Sequence, residues 1–189
     1  MRWMPQSLYT APRVNKRKTR GIMPVRFILN GDTVTEDAVS PSMTVLDYLR
    51  ERRSLKGTKE GCAEGDCCAC TIVTVSAGDD GLDYDTAKTC LMMVPQLHGK
   101  EILTIEGLAE KDGTPHPIQQ ALVTAHGSQC GFCTPGIVMA LLAFHHSDDP
   151  VETEKIHDAL AGNLCRCTGY RPIVDAALTL DSSRSDRFT

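Results

Sequence analysis

Eight of the nine cysteines in this 189-residue chain fall into two sets whose spacing suits metal chemistry. Cys62, Cys67 and Cys70 form C-x4-C-x2-C, and Cys90 follows 20 residues after Cys70. This is the plant-type arrangement by which four thiolates hold a [2Fe–2S] cluster. Three thiolates come from one curled loop and the fourth arrives from a separate element. Anionic sulfur needs hydrogen-bond donors, and glycine lets backbone N–H groups come close. Gly61 and Gly65 stand where they can do so. Zinc sites more often pair cysteines as C-x2-C twice, a habit that the four-residue gap does not suit.

Cys130-Gly-Phe-Cys133 and Cys165-Arg-Cys167 supply four more thiols, 31 residues apart. Each pair stands just before an apolar-periodic segment. Thr134-Pro135 reads as an N-cap followed by proline at the first helical position, and Thr168-Gly-Tyr-Arg-Pro172 offers a similar start. Two helix N-termini would then face one anionic centre, each favouring negative charge by about 0.3–1 kcal/mol and lowering thiol pKa. By itself this set fits either zinc or iron–sulfur. Standing beside the first loop, it favours iron–sulfur. Cys68, the ninth thiol, forms a doublet with Cys67. Using it as a ligand would give C-x5-C-x-C, so it reads as a bystander.

Other chemistry is sparse. His98, His116, His126, His145, His146 and His157 show no H-E-x-x-H or comparable metal spacing. His145-His146 reads as the charged or solvated end of a helix. No Ser/His/Asp set, P-loop or G-x-G-x-x-G occurs, so no catalytic residue is assigned and no place for an organic substrate is evident.

The elements that must carry these cysteines change character along the chain. Val25, Phe27 and Leu29 predict a strand, Asn30-Gly31 a tight hairpin turn, and Thr33 to Val39 the returning strand. Thr44 and Asp47 fit a capping box opening a helix through Leu49. A glycine-punctuated loop holds the first cysteines. Cys70 to Val75 predicts a strand ended by the turn Gly78-Asp-Asp-Gly81, and Ile102 to Ile105 a last strand. Beyond about residue 105 the apolar period shifts from two to about 3.6. Ile118, Ala121, Leu122 and Ala125 mark one helix; Ile137, Leu141 and Phe144 a second. Ile156, Ala159 and Leu160 mark a third, and Ile173, Ala176, Ala177 and Leu180 a fourth. The expected class is α+β: a small mixed domain over 23–105, then an all-α four-helix bundle over 106–180.

Composition bounds what remains. Hydrophobic residues make up 41% and charged residues 23%, as in ordinary globular proteins. Residues 1–22 carry six basic side chains and no acid, leaving 14 basic against 24 acidic side chains in the rest. That segment lacks the apolar core of a secretory signal. It reads as a disordered extension or an upstream start, with the folded protein beginning at Met23. An acidic body argues against nucleic acid as the main partner. No run of 18 apolar residues is present, so no membrane span is expected. An odd cysteine count without an export signal suits a cytoplasmic metal protein better than a disulfide framework. Residues 181–189 read as a polar tail.

Four segments carry a family resemblance: Gly61-Cys-Ala-Glu-Gly-Asp-Cys67, Cys90-Leu-Met-Met-Val-Pro-Gln96, Gln129-Cys-Gly-Phe-Cys-Thr-Pro-Gly136 and Gly162-Asn-Leu-Cys-Arg-Cys-Thr-Gly-Tyr170. Together they resemble the iron–sulfur portion of the molybdenum hydroxylases, in particular small subunits of the bacterial xanthine dehydrogenase type. The likeness runs from about Met23 to Leu180. It implies a β-grasp ferredoxin-like domain followed by the helical bundle, with one [2Fe–2S] cluster in each. By the same resemblance, Cys130, Cys133, Cys165 and Cys167 lie next to the molybdopterin of a partner subunit, which Gln129 contacts. Cys62, Cys67, Cys70 and Cys90 then serve the path to FAD and NAD, while hydroxylation takes place on the partner with water as oxygen source. Relatives of this type often continue into an FAD domain, so the chain reads either as one of three subunits or as a truncated form. Substrate class stays open among purines, aldehydes, carbon monoxide and N-heterocycles. A metal-binding redox-sensing or interaction protein is the reading from another class. Cys68 stands where the family usually has glycine.

Overall fold

The computed structural model describes residues 24–78 and 81–180; the basic segment 1–22, Met23 and the tail 181–189 lie outside the described residues. β1 (Val25–Leu29) and β2 (Asp32–Glu36) form an antiparallel hairpin. Asn30 and Gly31 both have positive φ, 52° and 86°, the backbone that a two-residue I′ turn requires. β5 (Glu101–Leu103) pairs parallel to β1 and antiparallel to β3 (Thr71–Ala77), and β4 (Leu82–Lys88) covers the outer edge of β3. The strand order is β2-β1-β5-β3-β4. This mixed sheet with helices is an α+β fold of ferredoxin-like character.

Strand periodicity divides the core in two. Ile72 and Ile102 point to one face, where they join Val25, Phe27, Leu29, Tyr48, Leu49, Val94 and Leu97. Their neighbours Val73, Val75 and Leu103 point to the other face and join the core of the helices. The sheet is therefore a wall shared by both cores. Burial on both sides explains why β3 reads as an unbroken β-branched run.

On the first face, Thr44 caps a short helix α1 (Val45–Asp47). Its hydroxyl accepts from the Asp47 N–H at 3.0 Å and donates to the Asp47 carboxylate at 2.6 Å. The chain then widens into a π-type turn over Tyr48–Arg52. Tyr48 sits fully buried, edge-on to Phe27, and donates to Glu36 at 2.7 Å.

Four helices cover the second face: α2 (Pro117–Thr124), α3 (Thr134–His145), α4 (Thr153–Leu160) and α5 (Arg171–Leu178). They pack as α2 on α3 and α5, and α4 on α3 and α5, with α3 also lying on β3 and β4. Placed between the sheet and its sister helices, α3 is buried from Gly136 to Phe144 without a polar face. His116 caps α2 through Nδ1, accepting from the Ile118 N–H at 3.2 Å. His145 ends α3, and His146 stacks on Tyr84 at 4.0 Å. Among the described residues no helix is long and apolar enough to cross a membrane.

Candidate metal centres

The first cysteine loop is tied down at each end before it bends. At its start, the Gly57 N–H donates to Glu106 at 2.7 Å, and Glu106 accepts from the buried Thr104 hydroxyl at 2.7 Å. Arg50 reaches the Thr58 carbonyl at 2.9 Å. At its end, the Lys59 N–H closes onto the Ala69 carbonyl at 3.3 Å. Cys90 comes from a separate segment, held by α1: Val45 and Leu46 N–H groups donate to the Met92 and Thr89 carbonyls. The fully buried Thr89 clamps this segment to the loop, its hydroxyl donating to the Cys70 carbonyl at 2.8 Å.

Within that frame the thiols meet in two pairs, Cys62 with Cys67 and Cys70 with Cys90. The Glu64, Asp66 and Cys67 N–H groups donate to Cys62 Sγ at 3.4, 3.3 and 3.3 Å, and the Cys62 N–H donates to Cys67 Sγ at 3.3 Å. Cys70 Sγ lies 3.4 Å from Cys90 Sγ, both buried under Leu46. Backbone donors, chiefly Cys67 and then Glu64, bring the Cys62 thiol down to about 7. Burial, then the Cys70 hydrogen bond, pushes the Cys90 thiol up to about 11, partly offset by the Gly65 N–H. Gly61 acts as expected by close approach, since a Cβ there would stand 2.7 Å from Cys67 Sγ.

The second set is built at helix junctions. After α2, the Gly127 N–H closes on the Leu122 carbonyl at 2.7 Å, and the following loop presents Cys130 and Cys133. Thr134 is the first residue of α3, so the N-cap position falls on Cys133 instead; the Thr134 hydroxyl bonds Ser128 at 2.8 Å. The expected cap is thus displaced by one residue, because the Cys133 carbonyl already accepts the first helical bond, from Ile137 at 3.1 Å. Before α5, Tyr170 takes a φ of 68°. Its hydroxyl accepts from the Cys165 N–H at 2.7 Å and donates to the Asn163 carbonyl at 3.1 Å, which closes the turn that carries Cys165.

Cys133 hydrogen-bonds Cys165, and Cys130 hydrogen-bonds Cys167. Burial, then the Cys165 bond, raises the Cys133 thiol to about 12. The Cys130 hydrogen bond raises Cys167. Against the upward pull of its own burial, the Thr168 hydroxyl and nearby N–H groups hold Cys165 below the usual thiol range. Cys130 and Cys167 are exposed, as is Gln129 beside them.

The two sets abut. The Cys67 carbonyl accepts from the Leu164 N–H at 3.1 Å, one residue before Cys165. The buried Asn163 amide donates to the Cys68 carbonyl at 3.1 Å. A Cβ on Gly136 would run into that same carbonyl, so the first turn of α3 lies directly on the loop. Phe132, between Cys130 and Cys133, faces Gly61. Cys68 itself adopts a φ of 52°, a backbone that glycine takes without penalty, and buries its thiol against Gly162. Sequence reasoning missed Thr89, Asn163, Thr168 and Tyr170 as supports of the sites. The flanking Gly162-Asn-Leu and Thr168-Gly-Tyr stretches were the available signal.

The donor sets fit [2Fe–2S] clusters in chemistry: four thiols each, backbone N–H groups aimed at sulfur, and glycine where a Cβ would strike sulfur. Among the described residues no three His, Cys, Asp or Glu side chains are disposed to hold a single metal ion. Four sulfurs shared between two irons need not close on one point.

Comparison with known proteins decides the family. Residues 27–95 match the 2Fe-2S iron-sulfur cluster binding domain, and residues 104–178 the [2Fe-2S] binding domain. Quinoline 2-oxidoreductase from Pseudomonas putida 86 is similar in structure with a TM-score of 0.72 and 33% identity, covering 84% of this chain and 92% of that one. The chain belongs to the molybdenum hydroxylases, as their iron–sulfur part. Aldehyde oxidoreductase from Desulfovibrio gigas is also similar, with a TM-score of 0.72 and 32% identity over 83% of this chain and 16% of that one. Among curated proteins, xanthine dehydrogenase of Emericella nidulans is 46% identical over 160 residues, 84% of this chain. Aldehyde oxidase 1 of Cavia porcellus is 46% identical over 156 residues, 81% of this chain. The molybdenum hydroxylase iron–sulfur chain described here spans 12% of the length of each of these two relatives.

Proposed function

We propose that Cys62, Cys67, Cys70 and Cys90 hold one [2Fe–2S] cluster, and that Cys130, Cys133, Cys165 and Cys167 hold a second. The chain would relay electrons from a molybdopterin centre on a partner subunit towards FAD and NAD, in a xanthine dehydrogenase-type hydroxylase. When bound, each cluster takes up and gives back one electron at a time. The observation that carries this reading is the meeting of the two sets: Leu164, next to Cys165, donates to the Cys67 carbonyl at 3.1 Å.

The chain's own groups have definite tasks. The N–H groups of Glu64, Asp66 and Cys67 stabilise negative sulfur at Cys62, and Thr89 fixes Cys90 against Cys70. Loading each set expels protons from the raised thiols Cys90 and Cys133, so it is favoured as pH rises. The exposure of Gln129, Cys130 and Cys167 supports the second set as the one facing the molybdopterin partner. The four helices over 106–180 form, in this reading, an all-α four-helix bundle, and residues 23–105 the β-grasp ferredoxin-like domain. The cytoplasm, as the reducing compartment, is the place that suits free thiols.

Solved relatives include a quinoline and an aldehyde oxidoreductase, which favours a second reading in which the partner acts on an aldehyde or N-heterocycle. The test uses the chain purified with its natural partners. Xanthine added without NAD is expected to bleach the visible iron–sulfur absorption, and NAD to restore it. Bleaching by an aldehyde or quinoline alone would move the assignment to the second reading. No bleaching by any of the three, in protein that dithionite does bleach, would contradict the relay.

A further inference from the structure

The donors around Cys62 are backbone N–H groups, but Cys165 also has a side-chain partner. Thr168 Oγ1 lies 3.1 Å from Cys165 Sγ. The same oxygen accepts from the Tyr170 N–H at 3.2 Å. With that lone pair engaged, the hydroxyl proton is left for the sulfur, and a thiolate can only accept it. Tyr170 holds the geometry from both ends. Its N–H is aimed at Thr168 Oγ1, and its hydroxyl takes the Cys165 N–H at 2.7 Å. The turn 163–165 is further tied to the first loop through Asn163 and Leu164. Thr168 is half-buried, so water competes less for its proton than at an exposed site.

We propose that the Thr168 hydroxyl tunes the electron affinity of the second cysteine set, by donating to Cys165 Sγ from a position fixed by Tyr170. The proposal rests on the cluster reading above. Reduction by one electron places more negative charge on the cysteine sulfurs. A donor at Cys165 therefore stabilises the reduced form more than the oxidised form, and hydrogen bonds to sulfur are a general lever on such potentials. Thr168 is a positioning and tuning residue, not a ligand. At Cys62 in the first set the sulfur donors belong to the main chain, so a side-chain change does not remove them.

The experiment is a redox titration followed by EPR, on the chain in complex with its natural partners. Thr168→Val and Thr168→Ala are expected to lower the reduced-to-oxidised ratio of one signal about tenfold at a fixed potential, equal to about 59 mV for a one-electron couple. The affected signal should be the one that Cys130→Ser removes, with the other unmoved. Thr168→Ser should restore wild-type behaviour. An unmoved midpoint in both variants overturns the proposal, as does an equal shift of both signals. Loss of the signal in Val and Ala, with Ser retaining it, would make the hydroxyl an assembly requirement and overturn tuning. A wild-type protein that never shows a second signal overturns the cluster reading itself, a separate failure.

Discussion

The first and second cysteine sets reach the same four-thiol composition by different means. The first is a loop wrapped so that main-chain N–H groups point inward, with Cys70 and Cys90 buried beneath Leu46. The second is assembled where two helices begin, with Cys130 and Cys167 at the surface and hydroxyls of Ser128, Thr134, Thr168 and Tyr170 around it. The difference teaches where sequence change can act. Main-chain donors survive most substitutions, so the first set depends on backbone shape and on Gly61 clearing Cys67 Sγ. The second depends on particular side chains. Exposure differs by degree: the first set has Cys70 and Cys90 buried with Cys62 and Cys67 partly exposed, and the second has Cys133 and Cys165 partly buried with Cys130 and Cys167 exposed.

The sharpest way to break the comparison is to remove one ligand. Cys130→Ser is expected to abolish one EPR signal of the reduced protein and to leave the other at full intensity. Loss of both signals in well-folded protein would mean that the sets are not independent, and the contrast drawn here would fail. A far smaller effect is expected at the boundary between the sets. Cys68→Gly relieves a left-handed backbone worth about 1–2 kcal/mol. It also forfeits a buried thiol and gives the unfolded chain more freedom, terms of about 1 kcal/mol each. The net is expected to lie within about 1 kcal/mol, or about 2–4 °C in Tm. Both EPR signals should remain. Loss of the first would make Cys68 a ligand.

Much of this was legible before the structure because the relevant signals are local. Asn30-Gly31 has one comfortable turn, and the structure adopts it. Cysteine spacing alone grouped the two proposed sets, and it left Cys68, whose thiol lies against Gly162, outside both. What escaped was set by tertiary context. β4, Leu82–Lys88, was not expected, because an edge strand buries little and Leu-Asp-Tyr-Asp-Thr-Ala-Lys lacks a strong apolar run. The returning strand β2 is shorter than the predicted Thr33 to Val39, ending at Glu36. The predicted last strand, Ile102 to Ile105, starts one residue earlier and ends at Leu103, after which the chain turns at Ile105–Gly107. The support of Cys165 by Tyr170 depends on a positive φ at a tyrosine, which residue type does not announce. The Leu164 and Asn163 bonds to the first loop join residues nearly a hundred positions apart, beyond any spacing rule.

The central claim is that this chain holds two separate [2Fe–2S] clusters on eight named cysteines. Its most direct test is EPR with spin quantification on the dithionite-reduced protein, paired with metal analysis of the same sample. The account predicts two distinct signals of equal spin intensity and about four irons per chain. One signal with about two irons, or zinc in place of the second pair of irons, would contradict it.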